Sequence, residues 1–305
     1  MNRATAARLA VLALVWGSSF LLIKLALEGL TPIQVVLGRL VAGAGVLGVI
    51  VRLRRQPLPR TAALWGHLAL MGIVANIVPF FLFAWGEQRI SSGLAGVLNG
   101  TTPLFTLAIA MGALPEERLS AQRAGGLLLG FAGVVLVVGP RLGPEGADGL
   151  LGSAPGQLAC LAAAACYGVA FVYTRRFLAG SGFPPLALSA CQLGAASAML
   201  AVLAPVVART PVQLTLSVVA SVAVLGAVGT GLAYLLFYRL IGDAGATTVS
   251  MVTYLLPVVA VILGIIVLGE PLTWNVFAGA AVVIVGVALA EGRLRPARQP
   301  AVSRS

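Results

Sequence analysis

Apolar residues run along this chain in long blocks parted by short polar breaks, and the blocks cover roughly residues 8–27, 32–51, 63–86, 91–112, 121–139, 154–174, 184–206, 214–238, 245–267 and 272–290. A helix that crosses the hydrocarbon core of a bilayer needs about 20 mainly apolar residues, so each block predicts one transmembrane helix. The breaks carry turn chemistry: Gly29-Leu30-Thr31-Pro32, Gly180-Ser181-Gly182-Phe183-Pro184-Pro185 and Gly269-Glu270-Pro271. One longer connection, Pro140 to Pro155, holds Gly, Pro, Glu145 and Asp148 and reads as a flexible join between two halves. Arg3 and Arg8 ahead of the run Leu9 to Ile23 imitate a secretory signal. No small-residue cleavage site with a polar sequence behind it follows, so this run is expected to remain as the first helix.

Composition agrees. Apolar residues make up 59% and charged residues 10%, against roughly 25% charged in a soluble domain. The net charge of +11 raises the question of a nucleic-acid partner, which the placement of the charges excludes. Arginines gather in short clusters between apolar blocks, Arg52, Arg54, Arg55 and Arg60 in one, Arg293, Arg295, Arg298 and Arg304 in another. No continuous basic face can be drawn. With the N-terminus inside, 15 of the 20 basic residues fall in cytoplasmic segments, as the positive-inside bias requires. The expected location is a bacterial inner membrane, with both termini cytoplasmic. Cys160, Cys166 and Cys191 lie inside apolar segments and read as small core residues, and the single histidine, His67, excludes a multi-histidine metal or haem site. No cofactor is expected.

The chain repeats itself. Trp16-Gly17-Ser18-Ser19-Phe20 followed by Lys24 corresponds to Tyr167-Gly168-Val169-Ala170-Phe171 followed by Arg175, at a constant offset of 151. Pro103 matches Pro257, Glu117 matches Glu270, and Gly126 and Gly133 match Gly279 and Gly286, with a one-residue slip between proline and glutamate. An odd number of spans per repeat makes the second copy enter from the opposite side. The fold expected is therefore an all-α integral membrane protein of ten transmembrane helices in two inverted five-helix repeats, residues 1–142 and 153–292, with a basic cytoplasmic tail at 293–305. Inverted repeats put a substrate site at their interface near the midplane and supply alternating access.

These residues carry a resemblance. The Trp-Gly-Ser-Ser-Phe opening, Arg39 in the second helix and the pattern Gly269-Glu270-Pro271-Leu272-Thr273 resemble the EamA-like ten-helix members of the drug/metabolite transporter superfamily, over roughly residues 8–290. The first copy departs from that last pattern, with Leu114-Pro115-Glu116-Glu117-Arg118-Leu119-Ser120. The resemblance implies a transporter similar to amino-acid and metabolite exporters. It also implies a central cavity lined by the first, third, fourth, sixth, eighth and ninth helices.

Polar side chains at membrane depth are costly and usually face protein or a water-filled cavity. The substrate-cavity candidates are Trp16, Ser19, Phe20, Asn76, Asn99, Thr102, Tyr167, Tyr234, Ser250 and Tyr254, with Ser18, Thr101, Gln192, Thr230, Thr247 and Thr253 as further polar positions. Two roles fit Asn99, four residues before Pro103: compensating a carbonyl freed by the proline, or bonding substrate. Pro103 and Pro257 each remove an intrahelical hydrogen bond and are hinge candidates, with fixed curvature as the plainer role. Trp16 and Phe20 share a helix face, and Trp16 with Tyr167 is expected to form aromatic walls, unless both simply pack helix interfaces. Lys24, Arg39, Glu87, Glu117, Arg175 and Glu270 are the structural or coupling charges. Glu28, one turn on, is expected to neutralise Lys24 in part. Arg39, about eight residues into its helix, is hard to explain by snorkelling and is expected to pair internally or order backbone carbonyls, with a direct grip on a substrate carboxylate as the lesser alternative.

No carboxylate sits mid-span, so a proton partner is open, with Glu87 the first suspect. The chain has no nucleotide-binding Gly-Lys-Ser/Thr loop, which excludes ATP-driven pumping by this chain. The expected function is a secondary transporter, an exporter of small amphipathic metabolites such as amino acids; it is not expected to be an enzyme. Its partners would be a small-molecule substrate and the lipid bilayer, with oligomeric state open. The alternatives are a membrane enzyme on a lipid-linked substrate, a channel, or a non-transporting scaffold or sensor.

Overall fold

A computed structural model describes residues 3–114, 120–138, 146–245, 249, 252–271 and 273–291. Glu117 and Ser250 lie outside these residues. Among the described residues every regular element is helical. Seven helices are long and apolar enough to cross a bilayer: α1 (Arg3–Ala26), α2 (Pro32–Leu53), α3 (Ala62–Glu87), α4 (Ser92–Ala113), α6 (its membrane-length part Ser153–Leu178), α7 (Pro185–Val207) and α8 (Leu216–Ala244). Three shorter apolar helices complete the set: α5 (Ala121–Val138), α9 (Val252–Leu268) and α10 (Trp274–Ala290). The chain is a ten-helix all-α membrane protein.

The join between halves is shorter than its composition suggests. α6 starts at Gly146 and carries Pro155 inside it, so the segment expected to be a flexible join is largely helix. Pro155 removes only one backbone bond near the end of a span, where water can reach the freed carbonyl.

Lipid gives helices no hydrophobic drive to associate, so close packing at small residues must do it. The α5–α10 pair shows this most clearly. A Cβ on Gly126 would lie 2.4 Å from the Ala290 nitrogen, and one on Gly133 would lie 2.7 Å from the Val283 nitrogen. From the other side, a Cβ on Gly279 would meet the Val137 nitrogen at 2.8 Å, and one on Gly286 the Gly130 nitrogen at 2.4 Å. The two helices run antiparallel, and each contact has a twin when the halves are exchanged. A two-fold axis across the helices, in the plane of the membrane, is the geometry of an inverted repeat.

The same exchange holds elsewhere. Gly17 on α1 sits against Val259 on α9, and Gly168 on α6 sits against Phe105 on α4. α2 packs on α8 as α7 packs on α3, and α1 on α9 as α6 on α4. The matched prolines differ, however. α4 is interrupted between Asn99 and Thr102, with Pro103 in the first turn of the second segment, while Pro257 lies inside an unbroken helix. The break in α4 lies against Pro257: a Cβ on Gly100 would come within 2.9 Å of its ring.

Candidate functional site

Midway along α3 and α8, the ladder of hydrogen bonds widens into π-helical turns at Ile73–Ile77 and Val224–Leu232. Such turns re-aim side chains and often mark functional positions. Each holds one buried polar residue, Asn76 in α3 and Thr230 in α8. The spacing of 154 between these two is also that between Pro103 and Pro257, so they are repeat equivalents. Each meets a partner from the other half. Arg39 on α2 donates its Nε–H to the Thr230 hydroxyl at 3.0 Å, and Gln192 on α7 donates to Asn76 Oδ1 at 2.6 Å. A symmetric polar quartet therefore joins α2 to α8 and α7 to α3, and only one of its members is charged.

Glycines bring these helices close enough. A Cβ on Gly226 would lie 2.8 Å from the Arg39 carbonyl oxygen, and one on Gly43 3.0 Å from Thr230 Cβ. Arg39 stacks on the Phe80 ring at 3.7 Å and forms no ion pair among the described residues. Tyr167 and Tyr234 stand within its electrostatic reach. Asn76 Nδ2 makes no hydrogen bond of normal geometry among the described residues, although the amide faces the Tyr234 hydroxyl.

Two aromatic groups flank the quartet. Phe20 meets Phe83 edge-on at 5.5 Å, and Phe83 stacks with Tyr167 at 6.1 Å. Trp16 packs on Phe237 at 5.3 Å, and Phe237, Tyr238 and Tyr234 continue that group. Trp16 and Tyr167 therefore belong to different aromatic groups, since α1 turns Trp16 toward α8 and Phe20 toward α3. Ser19 bonds the Val15 carbonyl in its own helix and lies beside Gly229. Asn99 and Thr102 bond each other across the break in α4, the Thr102 hydroxyl donating to the Asn99 carbonyl at 2.8 Å. This carbonyl is satisfied by the threonine. Tyr254 leaves the group: it packs with Leu104, Val134, Val283 and Val287 and donates to Glu291 at 2.9 Å.

Lys24 and Glu270 sit at one end of the bundle. Lys24 donates to the main-chain carbonyls of Glu87 and Ile90, the latter at 2.8 Å, and not to Glu28. The expected i, i+4 pair gives way because the end of α3 offers unpaired carbonyls that the ammonium can cap. Glu270 does the opposite at the start of α4. Its carboxylate accepts the Ser92 N–H at 2.7 Å, the Ser92 hydroxyl at 3.0 Å and the Gly93 N–H at 3.0 Å. Gly269, at φ +64°, ends α9 in the left-handed turn that puts Glu270 there. The α3–α4 turn is thereby held by a cation at one helix end and an anion at the other. Gln34 reaches across at the same end to the carbonyls of Ala208 and Thr210.

The opposite end holds Arg8, paired with Asp243 at 2.6 Å, and an exposed Arg175 in the π-turn Thr174–Leu178. Repeat partners differ sharply here. Phe20 is 5% exposed and Phe171 56%. α1 packs on α3 and α4, with no comparable packing of α6 on α8 and α9 among the described residues. The two halves therefore pack differently at their corresponding ends. Phe83 and Ser92 escaped the sequence reading, although the run Phe80-Phe81-Leu82-Phe83 and the Ser91-Ser92-Gly93 helix start were visible signals.

Comparison with known proteins agrees with this architecture. The profile of the EamA-like transporter family matches twice, over residues 5–139 and 154–291. Similar proteins include the uncharacterized transporter YoaV of Bacillus subtilis, 24% identical over 90% of this chain and 92% of that one. An uncharacterized transporter of Archaeoglobus fulgidus is 28% identical over 92% of this chain and 95% of its own. The uncharacterized inner membrane transporter YedA of Escherichia coli is 25% identical over 91% and 87%. A solved crystal structure superposes with a TM-score of 0.67 at 20% identity, covering 97% of this chain and 100% of that one, a likeness of fold.

Proposed function

This chain belongs to the EamA-like transporter family, and on that premise we propose that it exports small amphipathic metabolites, amino acids above all, by alternating access at the interface of its halves. The halves are taken as 1–142 and 153–292, with a basic tail at 293–305. The observation that carries the reading is the two-fold quartet Arg39, Thr230, Gln192 and Asn76, at the crossing where inverted repeats bind substrate. The charged member supports the substrate class. The Arg39 guanidinium has N–H groups to spare and forms no ion pair among the described residues, so a substrate carboxylate would complete it. The flanking aromatic residues, Phe20, Phe83 and Tyr167 on one side and Trp16 and Tyr234 on the other, suit an apolar side chain or stem.

Arginine placement supports an inner-membrane orientation with the Arg8 end in the cytoplasm, since Arg52, Arg54, Arg55, Arg60, Arg123, Arg175, Arg176 and Arg239 share it. The Glu270 end then faces outward, and the tighter packing of α1 there fits a state closed to the outside. Lys24 and Glu270 act as latches on the α3–α4 turn, and the break at Pro103 lets that part of α4 move. Transport by the family and by the relatives' names weighs against the enzyme reading.

The test is counterflow in proteoliposomes holding the purified protein, screened with labelled amino acids. Saturable counterflow of one solute class, reduced in Thr230→Val and Asn76→Ala variants that still fold, is the expected result. Absence of flux for every solute, from correctly inserted protein, would sink the exporter reading.

A further inference from the structure

Glu87 ends α3 with its side chain 0% exposed, and neither carboxyl oxygen has a hydrogen-bond partner among the described residues. Next to it in the chain, Phe83, Ala84 and Ile90 belong to one packed apolar cluster, which also holds Cys160 of α6. Every charged group that faces it among the described residues is engaged elsewhere. Lys24 on α1 donates to two main-chain carbonyls, one of them that of Glu87 itself. Glu270, ahead of α10, is taken up by Ser92 and Gly93. Arg39 on α2 is committed to Thr230 and the Phe80 ring. The Cys160 thiol on α6 is the remaining titratable neighbour.

An ionised carboxylate taken out of water with no donor is among the costliest arrangements a protein can hold. A protonated one has no charge to compensate. The position of Lys24 discriminates between the two forms. An ammonium beside an ionised carboxylate would turn to it, and this one spends its hydrogen bonds on peptide carbonyls instead.

We infer that Glu87 is a proton-carrying site coupled to transport. This inference rests on the transport reading above. The carboxyl holds its proton while the Glu270 end is shut, because the bonds that shut that end also cover it. When Lys24 releases the Glu87 and Ile90 carbonyls and α1 swings from the α3–α4 turn, the carboxyl meets water. There a carboxylate oxygen takes a proton from outside, and after the end has shut again substrate entering the inter-half cavity from the cytoplasm, where Arg39 faces Glu87, displaces that proton to the cytoplasm. The same movement that exposes the outer face of the substrate site thus exposes the proton site. The ligand class is the proton, and the coupling is exchange of entering protons for leaving substrate.

Infrared difference titration of the full-length protein in liposomes reads the site without a substrate. A protonated-carboxyl C=O band at neutral pH is expected, absent from Glu87→Gln and kept in Glu28→Gln, whose side chain is exposed. A band that is missing from the wild type, or unchanged in Glu87→Gln, overturns the inference. The second measurement is counterflow of a labelled amino-acid mixture with and without an inward proton gradient. Solute extrusion should be driven by the gradient, towards about tenfold accumulation per pH unit for one-to-one exchange. Glu87→Gln should lose this dependence and Glu87→Asp should keep part of it. Counterflow indifferent to the gradient in the wild type overturns proton coupling and leaves the carrier reading standing. A Glu87 band without flux of any solute keeps the proton site and removes the transport reading.

Discussion

Two adjacent glycines on α5 should respond to the same substitution with opposite sign. A Cβ on Gly126 would stand 2.4 Å from the Ala290 nitrogen and 2.6 Å from its Cα, while a Cβ on Gly125 would meet nothing within 4 Å. Carbon atoms rest at about 3.5–4.0 Å, so Gly126→Ala forces α5 and α10 apart by about 1 Å. These are backbone atoms on both sides, and no side chain can rotate out of the way. Overpacking of this kind costs roughly 1–3 kcal/mol, against which alanine returns up to about 1 kcal/mol of helix propensity. Gly125→Ala receives the return without the clash. The propensity return is common to both, so the expected contrast between the neighbours is the overpacking cost, about 1–3 kcal/mol, Gly126→Ala destabilising and Gly125→Ala neutral or stabilising. Gly286→Ala should behave as Gly126→Ala does, since its Cβ would meet Gly130 Cα at 2.5 Å. Reversible unfolding in mixed micelles, followed by fluorescence of the 4 tryptophans, measures all three variants. Equal effects of Gly125→Ala and Gly126→Ala would refute the packing of the α5–α10 seam, and with it the antiparallel pairing from which the two-fold axis is drawn.

Arg39→Gln should raise KM for the transported amino acid by roughly tenfold to a hundredfold, the worth of a charge-assisted hydrogen bond. Transport of the corresponding amide should change little, and equal losses for acid and amide would mean that Arg39 only supports the fold. Thr230→Val takes away the acceptor of the Arg39 Nε–H and should cost about 1–3 kcal/mol of stability. A double-mutant cycle with Arg39→Met that shows no coupling would contradict the bond. Glu270→Ala uncaps α4 and should loosen the end of the bundle it latches. A cysteine placed at the buried Ile90 should then react about tenfold faster with a membrane-impermeant maleimide added outside, the population shift expected for loss of about 1.4 kcal/mol. Unchanged labelling would remove the latch role.

Much of the architecture could be read from the chain because the bilayer imposes it. Ten apolar blocks became ten helices, and the repeat visible in Gly126, Gly133, Gly279 and Gly286 became a seam of backbone contacts. Lys24 shows where such reading stops. Along the helix Glu28 is its natural partner, yet the carbonyls it caps lie on α3, 63 and 66 residues away in the chain. Trp16 and Tyr167 match in the repeat and still join different aromatic groups, since a repeat equivalence fixes corresponding environments and not mutual contact.

Hydrophobic length and the positions of glycine, proline and arginine are local quantities, and they were enough to specify the helices, the repeat and the expected orientation. The pairing of Arg39 with Thr230 and Gln192 with Asn76, the π-turns that aim them, and the burial of Glu87 without a donor arise only where helices from different halves cross. A side chain's partner within a membrane is decided by which helix approaches within hydrogen-bonding distance, and tertiary packing alone sets that approach.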